Sequence, residues 1–141
     1  MSVYAESSAI LAWLLDEAAG PDARRILTEA DIIVASDLTL IETDRVLVRA
    51  VAVGELTEAE AADRRAHLMA AASHWHILRI SPEIVERARQ PFPREPIRTL
   101  DAIHLASALV ARGMLPGLAL LCLDERIRRA AVALGLRVHP D

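Results

Sequence analysis

The stretch Leu118-Ala119-Leu120-Leu121-Cys122-Leu123 is apolar at every position and stops abruptly at Asp124. A strand with one face in water alternates apolar and polar residues. A strand without that alternation is covered on both faces, the habit of parallel sheets. Shorter runs of the same kind stand at Val3-Tyr4-Ala5 and Ile32-Ile33-Val34-Ala35, and residues 75–80 alternate as a half-buried strand. Between them the apolar residues recur at helical spacing. Strands separated by one or two helices predict an α/β fold, three-layer α/β/α with a mostly parallel central sheet of four to five strands, in one domain over residues 1–141.

Local signals punctuate the helices. Ser7-Ser8 reads as the cap of a helix carrying Ile10 to Leu15, and Gly20-Pro21 breaks the chain before a second helix over residues 22–30. Residues 37–53 form a long helix stopped by Gly54, with an expected buried face of Leu40, Ile41, Val46, Leu47, Val48 and Val51. Thr57 with Glu60 three residues on is a capping box, and Pro82 occupies the first position of the helix after Ser81. Pro93 and Pro96 keep residues 90–98 irregular. Thr99 then reads as the N-cap of a helix with Leu100, Ile103, Ala106, Leu109 and Val110 on its apolar side, ending at Gly113. The last helix covers residues 125–134 before Gly135 and a final extended segment.

Composition removes several function classes. All sixteen basic residues are Arg, so chemistry that needs a lysine, such as a P-loop or a Schiff base, is excluded. Cys122 is the lone cysteine, so no intrachain disulfide or thiolate cage forms, and a reducing cytoplasm is the simplest location. The apolar N-terminal run lacks a basic leader and meets Asp16-Glu17, unlike a signal peptide, and no run is long enough to span a bilayer. Charge is uneven: residues 1–86 carry 7 Arg against 15 acids, a balance of −8, whereas residues 87–141 carry 9 Arg against 5 acids, a balance of +4. That asymmetry suits a phosphate-bearing ligand and equally suits scattered surface arginines.

Four acids are placed to act together. In an open α/β sheet ligands bind beyond the carboxyl ends of the strands. Glu6 ends the first strand, Asp124 ends the fourth, Asp101 opens the helix feeding that fourth strand, and Glu42 lies on the helix leaving the second. For Asp101 alone, complementing the positive end of a helix dipole is the simpler reading. Four gathered carboxylates repel by several kcal/mol unless neutralised, and oxygen-only clusters suit Mg²⁺ or Mn²⁺. His104, three residues after Asp101, is read as a packed or hydrogen-bonded helix histidine rather than a ligand. His74 and His76 flank Trp75 without a third ligand nearby. Asp37 is a natural N-cap, Asp44 lies about 200° round the helix from Glu42, and Trp13 suits core or a subunit contact.

These residues resemble the PIN domain, the ribonuclease fold of VapC-type toxins. The likeness rests on four segments in order: a strand ending in an acid and serines, Val3-Tyr4-Ala5-Glu6-Ser7-Ser8-Ala9; Ser36 to Glu42; Thr99-Leu100-Asp101-Ala102-Ile103-His104-Leu105-Ala106; and Leu123-Asp124-Glu125-Arg126. The first acid of that family is usually Asp, so Glu6 reaches about 1.5 Å further, roughly one backbone rise, and the family's Thr before the fourth acid is replaced around Cys122 and Leu123. The resemblance implies a Mg²⁺- or Mn²⁺-dependent endoribonuclease, the toxin of a toxin-antitoxin pair, with a small VapB-like antitoxin, an RNA substrate, a homodimer and no membrane association. It implies Glu6, Glu42, Asp101 and Asp124 as catalytic metal ligands. Arg94, Arg98, Arg126 and Arg129 flank the acids and are candidates to grip the RNA backbone, while 3% aromatic residues leave no base-stacking platform. The alternative is a catalytically silent PIN-like module that binds RNA or a partner. A structure-specific DNA nuclease would need clamp elements for which 141 residues leave no room.

Overall fold

Strands β1 (Ser2–Ala5), β2 (Ile32–Ser36), β3 (His76–Leu78), β4 (Ala119–Leu121) and β5 (Arg137–His139) form one sheet of order β3-β2-β1-β4-β5, and every neighbouring pair is parallel. The computed structural model describes residues 1–141. The mostly parallel sheet expected from the apolar runs is therefore wholly parallel. Its strands are short: β1 and β2 run almost directly into α-helices, and residues 75–80 contribute only β3. Tyr4 is level with Val34 on one side and Leu120 on the other.

Seven helices cover the sheet: α1 (Ser7–Leu14), α2 (Gly20–Glu29), α3 (Asp37–Ala52), α4 (Glu58–Ala72), α5 (Pro82–Ala88), α6 (Thr99–Met114) and α7 (Glu125–Ala133). Successive strand residues point to opposite faces, so β1 and β4 feed two cores at once. Tyr4 and Leu120 pack with Leu105, Ala108 and Ile127 on the face of α6 and α7. Val3, Ala119 and Leu121 pack with Ala9, Ala23 and Ile26 on the face of α1 and α2, and Ala5, Ile10, Leu14 and Leu68 extend that side toward α4. Trp13 packs against this last cluster. The three-layer architecture follows.

Four local expectations are corrected, the first being the N-cap of α3, which is Ser36, with Asp37 the first helical residue. Thr99 is the first helical residue of α6 and Arg98 takes the N-cap position, without a side-chain cap bond. Helix α1 is capped by the Glu6 carboxylate rather than by a serine. On α3, Ile41 and Val48 are 54% and 52% exposed, while the buried line runs through Thr39, Thr43, Leu47 and Ala50. The two threonines take core positions because their hydroxyls are satisfied: Thr39 donates to the Ala5 carbonyl at 3.0 Å and Thr43 to the Thr39 carbonyl at 2.8 Å. Thr39 lies about 200° from Ile41 round the helix, so burying the former exposes the latter. The capping box of Thr57 and Glu60 forms as expected.

Gly20 is where α1 and α2 touch most closely. A Cβ there would stand 2.4 Å from the Ala12 carbonyl oxygen, a backbone atom that cannot swing away, whereas a Cβ at Gly113 meets nothing. Gly20→Ala should therefore lower unfolding free energy by about 1–3 kcal/mol as overpacking does, and Gly113→Ala should raise it by about 0.4–1 kcal/mol through helix propensity and chain entropy. Urea unfolding of the two variants beside the wild type measures both.

Candidate active site

Every crossover in this sheet returns the chain so that helices begin at the carboxyl edge of the strands. Glu6 directly follows β1, Asp124 lies three residues past the end of β4 and caps α7, Asp101 sits in the first turn of α6, and Glu42 lies about one and a half turns into α3. Glu6 is buried and folds back on its own helix. Its Oε2 accepts from the Ser8 backbone N–H at 3.0 Å, from the Ser8 hydroxyl and from the Cys122 thiol at 3.1 Å. Ser7 Oγ is 2.8 Å from Glu6 Oε1 and 2.8 Å from Glu42 Oε1, bringing the two carboxylates onto one hydroxyl.

His104 reaches the same place from α6. Its Nε2 is 2.5 Å from Glu42 Oε1 and 3.6 Å from Glu6 Oε1, while its Nδ1 is 3.0 Å from the Tyr4 hydroxyl. The side chains that could hold a metal ion within 4.8 Å of one another are Glu6, Glu42 and His104. Asp101 and Asp124 do not join that group. Asp101 stands one turn, about 4.5 Å of helical rise, before His104 on α6, with Oδ2 3.4 Å from Arg98 Nε. Asp124 turns Oδ1 to the backbone N–H groups of Arg126 and Ile127 at 2.9 and 3.4 Å, and Oδ2 lies 3.6 Å from Arg126.

The oxygens differ in what they have left to offer. Both oxygens of Glu6 accept from protein donors. Both bonds made to Glu42 fall on Oε1, so Oε2, on a side chain 26% exposed, has no protein donor. Asp101 Oδ1 is likewise unbonded, and its Oδ2 has only the long contact to Arg98. Hard oxygen ligands with open lone pairs fit a divalent cation. Burial opposes ionisation of Glu42, but the hydrogen bond and charge of His104, with the Ser7 bond, outweigh it and hold the carboxyl below its ordinary range. Burial raises the Tyr4 phenol to about 12, keeping it a neutral hydroxyl. Burial first, then the Glu6 charge, push the Cys122 thiol far above its ordinary range.

The four arginines named from sequence share one groove with Asp101. Arg94, Arg98, Arg126 and Arg129 line a cavity of about 380 Å³ together with Asp101 and Leu105. Arg129 also pairs with Glu125 at 3.2 Å, and Arg94 makes no ion pair. Helix α6 thus contributes to both places: Asp101 and Leu105 line the groove, and His104 contacts the carboxylate pair.

Comparison with known families matches residues 3–133 to the PIN domain. Ribonuclease VapC46 of Mycobacterium tuberculosis is 36% identical over 138 residues, 97% of this chain and 95% of the relative. The chain belongs to the PIN-domain family, with VapC proteins as its relatives. Two solved structures share the fold. The crystal structure of M. tuberculosis VapC20, a sarcin-ricin loop cleaving toxin, superposes with a TM-score of 0.64 at 17% identity over 91% of this chain and 94% of that one. VapBC2 from Rickettsia felis, solved bound to a DNA fragment from its promoter, gives 0.66 at 11% identity over 99% and 98%.

Within this PIN domain, His104 is buried and hydrogen-bonded as the sequence suggests, but its bond to Glu42 was not legible there, nor were the contacts of Ser7, Ser8 and Cys122 with the acids. For His104 a signal existed, since it lies on the same helix face as Asp101 and a buried pair of carboxylates needs a donor. The serines were read as caps, and the carboxylate before them took that role. Because the Cys122 thiol is buried and kept protonated, it should react with DTNB at pH 8 at least about a hundredfold more slowly than in the guanidinium-unfolded chain. Stopped-flow absorbance of the native and unfolded protein measures the ratio.

Proposed function

We propose that this PIN-domain protein is an endoribonuclease that cleaves RNA phosphodiester bonds with Mg²⁺ or Mn²⁺, and that it is the toxin of a pair whose partner is a small VapB-like antitoxin. A cytoplasmic homodimer belongs to the same reading; no helix is long and apolar enough to cross a membrane. The names of VapC46 and VapC20 support the nuclease part, and the VapBC2 assembly supports the pairing. The observation that carries it is the gathering of Glu6, Glu42 and His104, with Glu42 Oε2 left open, one helical turn from Asp101 and its arginine groove.

Glu42 and Asp101 offer the open oxygens, and Asp124 and Glu6 complete the acidic edge as ligands or as positioners of water. A bound divalent ion supplies Lewis-acid stabilisation of the phosphate and a water of lowered pKa. The chain's own part is to hold the substrate: guanidinium forks match phosphate oxygens bidentately, and Arg94, Arg98, Arg126 and Arg129 lie where a strand running away from Asp101 would pass. One observation favours the silent-module reading. Both Glu6 oxygens are already engaged by Ser7, Ser8 and Cys122, so the first acid is poorly free to bind an ion.

Purified protein incubated with total RNA should cleave it in Mg²⁺ or Mn²⁺ and stop in EDTA. Asp101→Asn and Glu42→Gln should each cost at least about a hundredfold in rate, as loss of several kcal/mol of charge stabilisation requires. RNA bound but uncut by the wild type in both metals decides for the silent module.

In the Asp101→Asn background, Arg94→Ala and Arg129→Ala should each reduce the slope of log Kobs against log salt by about 0.7 and weaken binding evenly across RNA sequences. Fluorescence anisotropy over a salt series reads the slope. Unchanged slopes would place the strand elsewhere.

A further inference from the structure

A buried polar line runs beneath Glu42. Tyr4 on β1, Ser36 at the end of β2 and His104 on α6 have almost no exposed surface. The Tyr4 hydroxyl donates to Ser36 Oγ at 2.9 Å and lies 3.0 Å from His104 Nδ1, and His104 Nε2 meets Glu42 Oε1 at 2.5 Å. Three buried polar groups from three elements are costly unless each finds a partner, and here each does. A histidine that only filled space would turn its outer nitrogen to a backbone carbonyl or to solvent. This one turns it to the carboxylate whose other oxygen is open. An ionised carboxylate only accepts, so Nε2 is the donor. Ser7 of α1 donates to the same oxygen, and Glu42, otherwise a flexible side chain, is held by Oε1 with Oε2 left without a protein donor.

We propose that His104 is a positioning residue for Glu42, locked in orientation by Tyr4 and Ser36, and that it sets the affinity of this edge for a divalent cation without binding the cation itself. The inference rests on the reading of the edge as an ion-dependent nuclease site. An imidazole nitrogen 2.5 Å from Oε1 leaves no room for an ion between the two atoms, which separates positioning from ligation. Outer partners that orient a ligand typically matter 10- to 100-fold in metal affinity.

The test uses Mn²⁺ alone, titrated into the full-length protein and read by calorimetry and by the loss of the free-ion EPR signal, with circular dichroism to check the fold. His104→Leu should raise the apparent Kd about 10- to 100-fold. His104→Gln, which keeps a donor that can reach Glu42, should recover most of that loss, and Tyr4→Phe, which removes only the hydroxyl, should raise Kd several-fold. A purely structural histidine would shift Tm in these variants while leaving Kd alone. A Kd for folded His104→Leu within about twofold of wild type overturns the inference, as does a directly bound imidazole nitrogen in the Mn²⁺ spin-echo spectrum of the wild type. If His104→Leu does not fold, Tyr4→Phe decides, and an unchanged Kd there is fatal. A wild type that binds no Mn²⁺ removes the nuclease reading and the inference with it, an outcome distinct from equal binding by wild type and variant.

Discussion

Two glutamate side chains from distant parts of the chain share the proton of one serine, and the rest of the site is arranged around that crowding. Like charges about 4 Å apart repel by about 4 kcal/mol at an effective dielectric of 20, enough to unseat a carboxylate on a mobile side chain. Hydrogen bonds to charged groups contribute about 1.5–3 kcal/mol each. Glu6 and Glu42 receive five donors between them in Ser7, the Ser8 N–H and hydroxyl, Cys122 and His104. The pair is therefore held in place with donors to spare. The remaining asymmetry, with Glu6 saturated and Glu42 open on one side, is what turns a buried polar cluster toward solvent.

The parallel sheet makes such a cluster possible. Because each of β1 to β4 is followed by a returning helix or helix pair, the N-termini of α1, α3, α6 and α7 all gather at the carboxyl edge, and their exposed N–H groups and dipoles favour anions there. Two of the acids use this directly: Glu6 caps α1 and Asp124 caps α7. The extra methylene of Glu6 gains a structural meaning. It lets the carboxylate fold back to its own helix while Oε1 still meets Ser7, and the Cys122 thiol, kept protonated by burial and by Glu6, serves as a donor where an ionised sulfur would repel.

How much of this could be read from the chain depended on whether the signal was local. Apolar runs without alternation gave the parallel sheet, and Pro, Gly and capping residues gave helix boundaries to within a residue or two, because those effects act over one turn. The buried face of α3 was misjudged because hydrophobicity alone chose Ile41 and Val48, whereas Thr39 and Thr43 go inside once each hydroxyl has a carbonyl, and that pairing with Ala5 spans 34 positions. The same limit applies at the site. The acids were visible through their order along the chain, but His104 looked like a helix histidine because its partners, Tyr4 and Glu42, are 100 and 62 residues away. It is indeed buried and hydrogen-bonded, as expected of such a residue. What the spacing did not reveal is that its partner is one of the acids.

The arginine groove is poised rather than empty of charge. Arg98, Arg126 and Arg129 each lean toward a nearby acid, Asp101, Asp124 and Glu125, at 3.2–3.6 Å, and all three guanidinium groups remain well exposed. Pairs exposed on both sides, as Arg129 and Glu125 are, contribute about 0–1 kcal/mol, and even where the acid is sheltered, as Asp101 is at 14% exposure, the exposed guanidinium is open to a competing phosphate. Where that carboxylate is Asp101 or Asp124, such an exchange would release an oxygen at the acidic edge. Arg94, which makes no ion pair, has nothing to give up in such an exchange. On the proposed nuclease reading, phosphate binding and exposure of the acids would be coupled through the same short-range pairs, and a chain whose basic residues are all arginine can make the exchange with a bidentate fork on either side.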